Sequence, residues 1–236
     1  MKAFLKSTLH CFLVISGLLG FSSIDAKADE CRSAPTPGID WQDCDKKLLM
    51  LGGSDLGNAK LMGTDFTTTD LRNADLVGAN LEKAKLVRAT LAGSTAKGVR
   101  FARVEAYRTD FSGISADGAS FESAELQRSN FANAKLANVN FTKADLGRSQ
   151  FDGADVGGSR FALANLARAD FREARFSAPV DFDRAFFFLT RIEGVDLSAA
   201  TGISQWQLDM ACGDDKTVLP PGLKKPAPWP CKFQQD

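Results

Sequence analysis

The sequence predicts an all-β fold, a square-sectioned β-solenoid, and three nested repeat periods predict it. The shortest period is five. Of the 26 residues found at every fifth position from Leu51 to Phe176, 22 are Leu or Phe. The stretch ANLEKAKLVRATLAGS (79–94) shows the pattern: Leu81, Leu86 and Leu91 each follow, two places on, a small residue, Ala79, Ala84 and Ala89. A helix repeats at about 3.6 residues and a strand at every second residue, so neither explains a five. The large residue and the small one before it must both point inward, which leaves three residues outside and a turn in every unit. The second period is ten, because from Phe101 to Phe171 phenylalanine fills alternate slots. The third is twenty and lies on the outside. Two residues after the slot, Arg88, Arg108, Arg128, Arg148 and Arg168 recur, whereas equivalent positions on two other sides are mostly Gly or Asn, as at Gly78, Gly98, Gly118, Asn138 and Gly158. Gly and Asn tolerate the positive φ of a tight turn. Four five-residue units per circuit satisfy all three periods: slots ten apart face each other, and residues twenty apart stack.

The elements follow in chain order. Lys2 and Lys6 precede an apolar run, Leu9 to Gly20, and Ala26-Lys27-Ala28 offers an A-x-A cleavage site. Residues 1–28 are expected to be a secretory signal peptide cleaved after Ala28, since a dozen apolar residues fall short of the ~20 needed to span a bilayer. Cys11 lies inside the apolar run and not at a lipid-attachment point, and no second apolar segment follows. The expected location is the periplasm or the exterior, without a membrane span. His10, the only histidine, leaves with the signal. Cys31, Cys44, Cys212 and Cys231 remain, an even number that in an exported chain reads as disulfides. Three pairings are possible. A rod keeps its two ends apart, beyond the ~7 Å that a disulfide spans between Cα atoms, and so favours Cys31–Cys44 with Cys212–Cys231.

Residues 29–48 are expected to form an irregular N-terminal cap, in which Ile39 and Trp41 already obey the phase. The solenoid should occupy 49–200. Its register slips once, where Phe176 is followed by Phe182 with Pro179 between, and one extra residue at a proline reads as a bulge at a corner. Beside it, Phe186, Phe188 and Leu189 fall on outward positions. The expectation is that the C-terminal segment covers them; the alternative is a partner-binding patch, which makes Phe186 and Phe188 candidate binding residues. Residues 201–236 should supply the cap. Ser204 and Gln207 form an S-x-x-Q capping box, Ile203 and Leu208 a hydrophobic staple, and Gly213 a stop, so a short helix is expected over about 205–212. The proline-rich LPPGLKKPAPWPC should then run extended, secured by Trp229 and Cys231.

The units ADLVG (74–78), ANLEK (79–83), ADLGR (144–148) and ANLAR (164–168) resemble the pentapeptide-repeat proteins, and the resemblance covers about 150 residues. It implies a right-handed quadrilateral β-helix, a handedness that spacing does not provide. Residues 201–236 also resemble the terminal segments of exported bacterial members.

The mature chain has no histidine and a single tyrosine, Tyr107, which excludes Ser-His-Asp and Cys-His catalysis. No phosphate loop or dinucleotide fingerprint occurs, and a zinc site would need cysteines from opposite ends to converge. No enzyme activity, catalytic residue, small-molecule substrate, cofactor or metal is expected. Carboxylates such as Asp70, Asp75, Asp110 and Asp170 stand on a convex, solvated wall.

Charge does carry information. The chain balances 29 basic against 29 acidic residues. Between residues 60 and 176, however, the two adjacent sides holding the Arg column carry twelve basic and six acidic residues, a net +6. The opposite sides carry five and eight, a net −3. Arginines stacked at coil spacing repel by ~0.8 kcal/mol per pair even in water. The expectation is a solvated column neutralised by Glu105, Glu125 and Asp145; the alternative is a strip that binds an anion. The functional expectation is an exported, non-enzymatic scaffold, a monomer or end-to-end dimer, binding another protein or an anionic envelope polymer. The family implies one alternative, imitation of duplex DNA to protect topoisomerase. The signal peptide, the cysteines and the Arg column count against it, and nucleic acid is disfavoured as a partner.

Overall fold

The computed structural model describes residues 30–231; the signal peptide expected over 1–28 lies outside the described residues. Parallel bridges join residues twenty apart, from Asp40–Lys60 to Asp155–Arg175. Each coil therefore has four walls, numbered here by their bridge residues: first (80, 100, 120), second (85, 105, 125), third (90, 110, 130) and fourth (95, 115, 135). The bridges begin at Asp40, so the five-residue phase already runs through part of the segment expected to be an irregular cap. Lys46 disguises it in the sequence by occupying a slot: its ammonium lies 3.4 Å from the Trp41 ring centroid and donates to the Cys31 carbonyl at 2.6 Å. Burial lowers the Lys46 pKa.

Why five residues suffice is a matter of backbone hydrogen bonds. In the unit 71–75, the N–H groups of Leu71 and Asn73 donate forward to Thr90 and Ala92 of the next coil (2.8 and 3.0 Å), and that of Asp75 donates back to Ser54 (2.9 Å). The Ala74 N–H closes the turn on the Leu71 carbonyl (3.1 Å). Only the Arg72 N–H is left, and the Asp70 carboxylate accepts it at 3.0 Å. The same bond recurs from Val77 to Asp75, Glu82 to Asn80, Gly147 to Asp145 and Ala167 to Asn165. Where Asp or Asn precedes the slot, its side chain satisfies the one donor that neither adjoining coil reaches.

The corners are conformationally uniform. Every fifth residue from Gly38 to Glu173 has a positive φ, between +56° and +73°, as the third residue of a type II turn requires. Inside, the Phe files are in register. Phe101, Phe121, Phe141, Phe161 and Phe182 stack along the first wall with centroids 4.5–5.3 Å apart. Phe111, Phe131, Phe151 and Phe171 stack along the third at 4.5–5.1 Å. The two files meet edge to face across the core, as between Phe141 and Phe151 (6.3 Å, 90°). Buried hydroxyls are matched as well: Thr109, Ser129 and Ser149 each donate to the slot carbonyl of the coil below, at 2.6–2.8 Å.

Around Pro179 the bridge separation lengthens to 21 (Arg160–Asp181, Asn165–Phe186), which places the extra residue in the expected corner. The Ser177 hydroxyl donates to Asp155 at 2.7 Å and helps hold the bend. Helix α1, Gln205–Met210, then takes the place of the second wall above residues 186–190. It ends earlier than expected, because Cys212 returns to the ladder by donating to the Thr190 carbonyl at 2.8 Å. Gln207 is buried within the cap: its side-chain oxygen accepts the Ser204 N–H (2.8 Å), and its amide donates to the Phe182 and Ala185 carbonyls (3.0 and 2.9 Å). Gly213 is not a helix stop. It lies under the Trp229 ring, whose Nε1 donates to the Ala211 carbonyl at 2.7 Å. Both favoured disulfides are present, Cys31–Cys44 and Cys212–Cys231, with Cα separations of 5.5 and 5.3 Å.

Truncating the centre of a file, Phe141→Ala, should lower the unfolding free energy by about 3–5 kcal/mol, measured by denaturant titration. Acid should also destabilise the protein. The Arg72 guanidinium and then its N–H hold the Asp70 carboxyl below its ordinary value, and the Ser198 side chain and N–H do the same for Asp196. A carboxyl whose pKa is lower folded than unfolded stabilises fully above the unfolded value, and that contribution disappears as pH falls through the folded one. The thermal midpoint should therefore drop as the pH is taken below about 4.

Candidate functional site

The second wall carries the Arg column. Arg88, Arg108, Arg128, Arg148 and Arg168 stand one per coil and exposed, at φ +57°, +56°, +60°, +62° and +59°. The same corner on the third and fourth walls, with the same turn, is mostly Gly or Asn. An arginine in left-handed conformation is strained where those residues are not. The second wall accepts that strain in five consecutive coils.

The expected neutralisation does not occur. Among the described residues none of the five arginines forms an ion pair, while Arg72–Asp70, Arg103–Glu82 and Arg172–Asp170 do so on other walls. Asp145 is engaged elsewhere, accepting from Gln127 (2.8 Å), Asn165 (3.0 Å) and the Gly147 N–H (3.1 Å). Tyr107 lies against the column, its ring centroid 5.2 Å from Arg108 and 5.9 Å from Arg128.

Beside the arginines runs a second column at the first turn residue: Tyr107, Gln127, Gly147, Ala167 and, across the register slip, Phe188. The two small residues floor a shallow depression of about 360 Å³. Arg128, Arg148 and Arg168 line one side of it, Asp145 and Asn165 the other. At the C-terminal end of the wall, Phe186 and Phe188 are each 44% exposed, their rings 6.2 Å apart and 11° from parallel. The expectation that the C-terminal segment covers them is corrected. Helix α1 sits above residues 186–190 and leaves both rings open, and its own Trp206 is half exposed. Leu189 is partly buried and continues the arginine corner, at φ +54°.

Sequence reasoning found the arginines and both phenylalanines but not the depression. The signal was present as the twenty-residue spacing of Gly147 and Ala167, which becomes a floor only once the bulky neighbours on either side are placed. The surface carboxylates are occupied: Arg72 grips Asp70 and Arg172 grips Asp170 through Nε and Nη. Burial, then the charge of Asp170, raises the Asp152 pKa on the third wall. Among the described residues no group of three or more His, Cys, Asp or Glu is placed to hold a metal ion, and no helix is long and apolar enough to cross a membrane.

A ladder of parallel bridges with a turn every five residues defines a four-walled β-solenoid. The chain belongs to the pentapeptide-repeat family, whose members fold as right-handed quadrilateral β-helices. The profile described as "Pentapeptide repeat region" matches residues 97–161 and 124–201, and "Pentapeptide repeats (8 copies)" matches 51–86, together more than half of the chain. Similar solved structures include QnrB1, a plasmid-mediated fluoroquinolone resistance protein, at 18% identity over 76% of this chain and 84% of that one, TM-score 0.46. HetL, involved in heterocyst differentiation regulation in the cyanobacterium Nostoc sp. strain PCC 7120, is 22% identical over 86% and 91%, TM-score 0.32. A thylakoid-lumen member from Arabidopsis thaliana is 27% identical over 48% and 66%, TM-score 0.25. No curated protein matches the chain.

Because Asn suits a positive φ better than Arg, the triple substitution Arg108→Asn, Arg128→Asn and Arg148→Asn should leave the thermal midpoint unchanged or raise it, as followed by circular dichroism. A fall of several degrees would mean that the arginines contribute to the fold.

Proposed function

We propose that this protein is an exported, non-enzymatic scaffold that binds an anionic macromolecular partner through its second wall. The division into a signal peptide (1–28), an N-terminal cap (29–48), a solenoid (49–200) and a C-terminal cap (201–236) belongs to this reading. One observation supports it above all: five exposed arginines in register, without an ion pair among the described residues, at corners where Gly or Asn would be unstrained. A cation left unpaired at coil spacing bears a repulsion that an incoming anion relieves. The two disulfides fit an oxidising compartment. A rod imitating duplex DNA would need an acidic face, since the duplex carries one negative charge per ~1.7 Å; the net positive second wall argues for the opposite partner.

The purified mature protein should be retained on an anionic matrix at low salt and released as salt is raised. The Arg108→Asn/Arg128→Asn/Arg148→Asn variant should elute much earlier. Equal retention of the two proteins would refute the binding role of the wall. Export is tested separately: the full-length chain should fractionate outside the cytoplasm and a chain lacking residues 1–28 inside it.

A further inference from the structure

We propose that the depression on the second wall is a binding site for an acidic oligosaccharide lying along the rod axis, about four pyranose rings long. The inference rests on the anion-binding reading of that wall and adds the class of ligand. The carboxylates or sulfates of alternate rings face the column of Arg128, Arg148 and Arg168, its rings lie over Gly147 and Ala167, and its terminal ring packs on Phe188.

Spacing selects the class. The arginines repeat once per coil, at ~4.8 Å, the separation of neighbouring strands. An extended acidic peptide places same-side carboxylates two residues apart, at ~6.6 Å. It falls out of step with the column within two or three coils. A nucleic-acid strand carries one phosphate per ~3.4 Å of helix axis and fails in the other direction. In an extended 1,4-linked chain of uronic acids successive rings turn over, so same-side carboxylates recur every second ring, close to two coil spacings, and stay in step with every second guanidinium of the column.

The rest of the surface matches a sugar more closely than a simple polyanion. Fully exposed cations on a convex wall would serve any polyanion, but these flank a depression of about 360 Å³ floored by small residues. Its other side presents the side-chain amides of Gln127 and Asn165 with the Asp145 carboxylate. Asp145 already accepts from both amides; its remaining lone pairs and the free amide hydrogens can meet sugar hydroxyls, for which a polyphosphate has no counterpart. Aromatic rings close the run at both ends. Tyr107 lies toward the N-terminus with Arg108 and Arg128 against its face, and the open Phe186–Phe188 pair lies toward the C-terminus. Tyr107 and Phe188 stand four coils apart, ~19 Å at strand spacing, which sets the length at about four rings.

The test is calorimetric titration of the mature protein with tetramannuronate, neutral mannotetraose and tetraglutamate, together with retention on the anionic matrix. Tetramannuronate should bind in a salt-sensitive manner and the other two at least tenfold more weakly. Ala167→Leu, which fills the depression from a half-buried turn position and keeps every charge, should lose tetramannuronate at least tenfold while keeping its retention on the matrix. Phe188→Ala should weaken tetramannuronate about fivefold. Thermal midpoints matching the parent establish that both variants fold, and either one alone suffices for the test. Unchanged affinity in both variants would overturn the site, as would mannotetraose binding equally well. Tetraglutamate binding as tightly would overturn it in favour of an acidic protein partner. Retention on the matrix without tetramannuronate binding would overturn the ligand class and leave the wall reading standing; loss of both would fell both.

Discussion

The coil-to-coil backbone ladder is the constraint from which the other features follow. Each unit sends two N–H groups to the next coil and one to the previous coil, and spends one on closing its own turn. That arrangement needs a turn every five residues, and where the residue before the slot is Asp or Asn its side chain satisfies the fifth donor. The recurring Asp or Asn, the positive φ at every corner and the small inward residue before each bridge are three consequences of one hydrogen-bonding requirement. The phenylalanine files are a fourth. Once coils are held at strand spacing, rings twenty residues apart must stack, and the opposing file must meet them edge-on to fill a narrow core.

A ladder of this kind has no natural end, and both termini are devoted to stopping it. At the N-terminal end Lys46 takes a slot and is held between the Trp41 ring and the Cys31 carbonyl, beside the Cys31–Cys44 disulfide. At the C-terminal end a helix replaces one wall, and Gln207 satisfies two carbonyls of the last coils with one buried amide. Trp229 and Cys231 then fasten the tail over Gly213 and Cys212. The register slip at Pro179 belongs to the same transition. Bridges across it are 21 residues apart, Asp181–Thr201 beyond it returns to 20, and the separation then lengthens to 21 at Arg191–Cys212 and 22 at Asp196–Val218 as regular coils give way to the cap.

Regularity inside frees the outside. Two of every five residues contribute to the core, and three are available for whatever the walls present. On the third and fourth walls the corner residues are those the backbone favours. On the second wall they are arginines under the same backbone demand, set beside a floor of two small residues and an open aromatic pair. The first wall's corners also depart from that preference but vary (Lys83, Arg103, Ser123, Lys143, Leu163), whereas the second wall repeats one cation in five coils, and that wall is where the functional reading lies.

Much of this was legible in the linear chain. The five-, ten- and twenty-residue periods contain the four-walled solenoid, the facing Phe101 and Phe111 files and the Arg column, because in a solenoid sequence separation maps directly onto height and side. The favoured cysteine pairings followed from the same geometry. What could not be read was whatever depends on how far a side chain reaches. Lys46 fills a core slot that periodicity would give to an apolar residue, since its length lets its ammonium reach the Cys31 carbonyl. Phe186 and Phe188 were expected beneath the C-terminal segment, but α1 stacks on the end of the second wall instead of folding over its outer face. Asp145 was expected to neutralise the arginines and turns instead to Gln127 and Asn165. Periodicity states which residues are neighbours; only packed side chains settle which neighbours pair and which are left open to a partner.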